Sequence, residues 1–234
     1  MPVLLWDFDE TLAFRDGRWT RTLTDLLDAN HVSAPKLRHL RPLLNVGFPW
    51  HSPDTPHSVF FRGLDWWEAM TQNFQDIYVR CGVDVATARA LAGQVRSEYL
   101  RADHWDLYPD TQAALEIAAA HRWTNVIASN HVPELASLVE KLGIINHFAA
   151  VYTSGLVGHE KPSREFFHHI LNDLGVTPND CHMIGDSYRS DVAGAVRCGI
   201  EATLVRTRNH KDYYAYAPDA VSAVRGLVGE LDPA

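Results

Sequence analysis

The chain has 234 residues, 46% hydrophobic and 21% charged, enough for one large domain or a core with a smaller companion. Its 21 basic and 29 acidic residues give a formal net charge of -8, which argues against a general binder of nucleic acid or anionic membranes but leaves room for a small anionic ligand. No stretch approaches the roughly 18 uninterrupted apolar residues of a membrane span, the apolar run before Asp7 is too short for a signal peptide, and Cys81, Cys181 and Cys198 lack metal-type spacing, so free thiols in a reducing cytoplasm are expected.

The first predicted element is a buried strand, Val3-Leu4-Leu5-Trp6, running into Asp7-Phe8-Asp9-Glu10-Thr11-Leu12. On a strand, positions 7 and 9 face the same side. Two carboxylates there repel each other unless a cation or a shared proton relieves them. The pair therefore points to chemistry, although a solvated strand end with a helix-capping Asp has the same pattern.

Residues 13–107 break from the strand rhythm. Amphipathic helical stretches are predicted over 19–30, 64–81 and 87–100, separated by a Pro- and His-rich segment over 47–57, with no sheet strand among them. This predicts a helical insertion, dividing the chain into a core (1–12 and 108–234) and an inserted unit (13–107). The insertion holds five of the seven tryptophans, Trp19, Trp50, Trp66, Trp67 and Trp105, read mostly as its own core with Trp66 or Trp67 turned inward. Arg15, Arg18, His51 and Arg62 are its candidates for substrate contact.

Strands and helices then alternate: helix 111–121, strand 125–128, helix 133–142 with Pro133 at its start and Gly143 beyond its end, and a weaker strand 149–152. A helix over 163–174 follows, capped by Ser163 and closed by Gly175, then strand 182–185, helix 187–198 and strand 201–205. The alternation predicts an α/β fold, a doubly wound and mostly parallel sheet whose sites lie at the carboxyl ends of its strands.

Three further segments follow predicted strands. Ser129-Asn130-His131 offers a hydroxyl and backbone N–H groups suited to an oxyanion, although Ser-Asn is also ordinary turn chemistry. Lys161, one of only four lysines, sits in the loop Gly158-His159-Glu160-Lys161-Pro162 where it can neutralise a phosphate or lie solvated. Asp186 and Asp191 lie in Gly185-Asp186-Ser187-Tyr188-Arg189-Ser190-Asp191, where an acid can also be a plain helix cap.

Together, in order and spacing, these segments resemble the haloacid dehalogenase-like hydrolase superfamily: DFDETL its first motif, Ser129 its second, Lys161 in EKPSREFF its third and GDSYRSD its fourth. The insertion resembles an α-helical cap. The resemblance implies a Rossmann-like core and a Mg2+-dependent phosphatase acting through an aspartyl-phosphate. Asp7 would be the nucleophile and Asp9 the general acid and base. Asp7, the Asp9 backbone carbonyl and Asp186 would hold Mg2+, with Asp191 at the metal's edge or holding Lys161. Ser129, Asn130 and Lys161 would bind the phosphoryl group. One departure is Glu10, where Gly is common in the superfamily.

Asp9 separates this chain from the dehalogenases, since halide leaves unprotonated. Phosphonate-cleaving relatives use a cap lysine, for which only Lys36 is available, and the ion pumps need membrane spans. A phosphomutase, or a catalytically weak module that binds a phosphorylated ligand, shares the motifs. The expected partner is a small phosphorylated metabolite such as a sugar or nucleoside monophosphate, with no nucleic acid and no membrane.

Overall fold

The computed structural model describes residues 1–51, 64–207 and 215–229. Strand β1 (Val3–Trp6) leads into β2 (Ala13–Phe14), which pairs antiparallel with β3 (Asp106–Leu107). Between β2 and β3 lie the helices α1 (Arg18–Ala29), α2 (Leu40–Leu43), α3 (Leu64–Arg80), α4 (Val85–Ala92) and α5 (Val95–Tyr99). Beyond β3 come α6 (Thr111–Ala120), β4 (Thr124–Ser129), α7 (Leu135–Lys141), β5 (Ala150–Thr153), α8 (Ser154–Val157), α9 (Arg164–Leu174) and β6 (Cys181–Gly185). The chain ends its described course with α10 (Ala193–Val196), β7 (Glu201–Val205), β8 (Tyr216–Ala217) and α11 (Ala220–Val228).

Six strands form one parallel sheet in the order β5-β4-β1-β6-β7-β8. β1 lies in the middle because its four residues are apolar and fully covered, as a central parallel strand requires. Its alternation splits the interior in two. Leu4 and Trp6 join Ile127, Ile184, Leu115 of α6 and Val224 of α11, whereas Val3 and Leu5 join Met183, Leu204, and Phe166 and Phe167 of α9. Each such buried side chain contributes about 1.5–3 kcal/mol over exposure. Polar groups in this layer are satisfied inside it: the Trp6 indole N–H donates to Asn125 Oδ1 at 2.9 Å, and Asn125 Nδ2 donates to the Leu115 carbonyl at 3.1 Å.

The predicted doubly wound fold is the one observed. Local details differ, the short helices α2 and α8 among them. The stretch 87–100 divides into α4 and α5 at Gly93, and the stretch 187–198 begins as a wide π-type turn over Tyr188–Val192 before α10. There the Ser187 and Asp191 side chains accept backbone N–H groups and compete with the helical ladder. The ribbon of β2 and β3 was not expected, nor were β8 and α11. The three cysteines are free, and among the described residues no helix is long and apolar enough to cross a membrane.

Candidate active site

Asp7 is the first residue past β1, and its N–H still donates to the Ile184 carbonyl at 2.9 Å, extending the ladder and fixing the carboxylate at the sheet's carboxyl edge. Ser129 ends β4 on one side and Asp186 follows β6 on the other, so adjacent parallel strands deliver all three to one place. With Asp9, Lys161 and Asp191 they line a pocket of about 330 Å³.

Phe8 is fully buried, and its carbonyl accepts from the N–H groups of Leu12 and Ala13, turning the chain tightly after Asp9. That turn places Glu10 at φ 59°, a left-handed conformation that costs a non-glycine residue about 1–2 kcal/mol. Here the Glu10 carboxylate gains partners that glycine lacks: Arg18 at 2.9 Å and the Tyr108 hydroxyl at 2.9 Å.

Lys161 is buried, and its Nζ donates to Asp7 Oδ1 at 2.8 Å and to Asp191 Oδ1 at 2.6 Å. Burial opposes the charge of such an ammonium, but Asp191 and Asp7 overcome it and raise its pKa. Asp191 Oδ2 accepts the Ser187 N–H at 2.9 Å, and a Cβ placed on Gly185 would lie 2.3 Å from that same oxygen, so only glycine fits the end of β6. The Asn130 side chain clasps the Lys161 backbone in both directions, donating to its carbonyl at 2.8 Å and accepting from its N–H at 2.7 Å. The Asn130 side chain thus holds the lysine loop, and the expected phosphate contact from this residue rests with its backbone N–H.

Asp9 is pushed up to about 7, first by burial and then by Asp7, and its Oδ1 has no hydrogen-bond partner among the described residues. Burial and then Asp7 likewise raise Asp186 and Asp191. The Ser129 hydroxyl is also without a partner there. Carboxylate oxygens of Asp7, Asp186 and Asp191 all lie within 4.8 Å of one another. Acids this close, two of them bonded to a single lysine, are a donor set for a hard divalent cation. A second acidic group, Asp25, Glu98 and His104, lies within the helical segment, but its carboxylates already pair with Arg21, Arg15 and Arg101.

The expected substrate contacts fall apart in the structure. Arg18 lines the pocket. Arg15 does not: it is buried, with its guanidinium spent on Glu98 and on the Glu98 and Tyr99 carbonyls. His51 is exposed and its Nδ1 accepts the Phe48 N–H at 3.4 Å, while its neighbour Trp50 faces the pocket instead. Arg62 lies outside the described residues. Trp66 and Trp67 are buried, with the Trp67 indole on Glu134, and the aromatic wall is built from Trp19, Trp50 and Tyr99. Sequence reasoning also gave no role to His131, which lines the pocket with its side chain fully covered. Its place directly after Ser129-Asn130 was the available signal.

A family model described as haloacid dehalogenase-like hydrolase matches residues 1–199. Among curated proteins, a phosphoserine phosphatase of Thermus thermophilus is 34% identical over 135 residues, covering 56% of this chain and 52% of that protein. A phosphoglycolate phosphatase of Chromobacterium violaceum is 33% identical over 105 residues, covering 44% and 47%. The chain thus spans about half the length of these relatives. Among solved structures, a HAD phosphatase from Thermococcus onnurineus superposes with a TM-score of 0.66 at 20% identity, covering 98% of this chain and 99% of that one. An L-2-haloacid dehalogenase from Xanthobacter autotrophicus gives 0.66 at 17% identity, covering 99% and 100%. Identities this low carry the fold and nothing finer.

Proposed function

This chain belongs to the haloacid dehalogenase-like hydrolase family, and from that premise we propose that it is a Mg2+-dependent phosphatase of the cytoplasm that hydrolyses a small organic phosphomonoester. The observation that carries this reading is the unequal state of the two aspartates. Asp7 is engaged by Lys161, whereas Asp9, two residues on, has an Oδ1 without a hydrogen-bond partner among the described residues and is pushed up to about 7 by burial and by Asp7. One is prepared to attack and the other to carry a proton.

In this mechanism Asp7 attacks phosphorus and forms an aspartyl-phosphate while Asp9 protonates the leaving alcohol. Asp9, now a carboxylate, takes a proton from water, which hydrolyses the acyl phosphate and restores Asp7. Ser129 Oγ and Lys161 Nζ hold the phosphoryl oxygens, and Asp191 keeps Lys161 in place. Asp7, Asp186 and the Asp9 carbonyl would hold Mg2+, which supplies charge neutralisation for the approaching dianion. Residues 13–107 act as a cap that closes over the site, with residues 1–12 and 108–234 as the core; the chain's departure and return at the paired β2 and β3 support that division.

The test is turnover of 4-nitrophenyl phosphate with Mg2+. Asp7→Asn is expected to abolish it, and Asp9→Asn to slow it while phosphoenzyme accumulates. Undiminished Mg2+-dependent turnover by Asp7→Asn would overturn the assignment. A panel of phosphorylated metabolites, scored for free phosphate and for isomerised product, separates hydrolysis from transfer within the substrate.

A further inference from the structure

We infer that His131 selects the substrate's alcohol, accepting at Nε2 a hydrogen bond from a hydroxyl beside the ester oxygen, so that the preferred substrates are phosphomonoesters of vicinal diols and polyols. This deepens the phosphatase reading and rests on it.

The ring is held in one orientation. Phe8 meets it edge-on with centroids 5.6 Å apart, and Tyr99 and Trp105 lie at 5.7 and 5.6 Å. Its Nδ1 lies 3.5 Å from the Val132 carbonyl, which can only accept. A ring proton on Nδ1 matches that acceptor and leaves Nε2 a lone pair. That Nε2 has no hydrogen-bond partner among the described residues, although the side chain is fully covered and the residue lines the pocket. A buried acceptor left empty costs free energy that a ligand's donor recovers.

The nearest acidic atom is Asp9 Oδ1, 3.8 Å away and equally without a partner. When Asp9 serves the ester oxygen, the atom that reaches Nε2 is the one next along the alcohol. Vicinal oxygens of a diol are separated by about one hydrogen-bond length, so a hydroxyl on the neighbouring carbon bridges the two positions. The rest of the lining agrees with such a ligand. Trp19, Trp50 and Tyr99 contribute apolar lining suited to the C–H groups of a polyol, and the nearby Arg18 is already neutralised by Glu10, so the pocket does not demand a second anion. A site that hydrogen-bonds a substrate hydroxyl discriminates sharply against the analogue lacking it.

The experiment compares glycerol phosphate with n-propyl phosphate, which differ in hydroxyls but share a primary alkyl ester. The readout is the ratio of their kcat/KM values within each protein, so that any general loss of activity cancels. The wild type is expected to favour glycerol phosphate at least about tenfold. In His131→Leu the ratio should collapse toward one, chiefly through KM for glycerol phosphate, and His131→Gln, which keeps an acceptor, should recover part of it. An equal loss on both substrates would assign His131 to holding Asp9 and overturn the selective role, as would a wild type without preference. A wild type that releases no phosphate from 4-nitrophenyl phosphate overturns the phosphatase reading itself, a result distinct from failed discrimination.

Discussion

Neighbouring residues 160 and 161 are both buried, and burial acts on them to opposite effect. Lys161 keeps its charge because Asp191 and Asp7 face it, whereas the Glu160 carboxyl is pushed up to about 7 by desolvation, with Oε2 lacking a hydrogen-bond partner among the described residues. A folded-state pKa above the ordinary 4.5 means that the folded chain binds more protons between about 4.5 and 7. The stability this residue allows is fully present below that window and is lost as pH rises through it. Glu160→Gln removes the titration, so its melting temperature should gain on wild type from pH 5 to pH 8, by up to about 3 kcal/mol in stability. A difference independent of pH would refute the assignment. At this scale the sequence was legible wherever a chemical group directly follows an apolar strand, as Asp7, Ser129 and Asp186 do. It was not legible for Arg15 and His131, whose surroundings come from α5 and from Trp105, distant in sequence from one or both of them.

Elements differ in how far their own residues determine them. Helix α9 has its whole signature inside it: Ser163 Oγ accepts the Glu165 N–H at 3.1 Å, and Gly175 closes it in the left-handed region. Its predicted limits and those of β7 match the structure for that reason. The turn over Tyr188–Val192 is different, because its geometry depends on Asp191 reaching Lys161, a contact across 30 positions. Two-residue strands such as β2 and β3 carry no periodicity at all. The turn's dependence on that contact yields a prediction: Asp191→Ala leaves the ammonium with one carboxylate and frees the Ser187 N–H, and should destabilise the protein by about 3 kcal/mol or more. Asp191→Asn, which keeps the backbone bond, should cost less. Urea denaturation of the two variants decides it: equal effects would assign the whole cost to the lost charge and none to the backbone bond, whereas an Asp191→Asn as stable as wild type would mean that Lys161 does not need the second charge.

The larger hydrophobic cluster of the whole molecule runs without interruption from the sheet into the helical segment, through Phe8, Leu12, Tyr99 and Trp105. Polar contacts cross the same junction, from Arg18 to Glu10 and from the Trp67 indole N–H to Glu134, and others brace the core side of it. Arg206 donates to the Thr11 carbonyl and to Asp110, and its guanidinium lies 3.7 Å from the centroid of Tyr108, which in turn donates to Glu10. Shared packing of this kind predicts cooperative unfolding. Hydrogen exchange of amides in α3 and in β1 should converge on one limiting free energy of opening; a much lower plateau for α3 would mean that the helical segment opens as a separate unit.

Trp19 lies flat on Tyr99, with ring centroids 3.8 Å apart and planes 3° from parallel, and both face the pocket together with Trp50. Indole emission responds to the polarity and charge around the ring. Two of the seven tryptophans are thus optical probes built into the wall where a ligand would rest. Occupancy of the pocket becomes visible as a change in the protein's own fluorescence, without a label and without turnover.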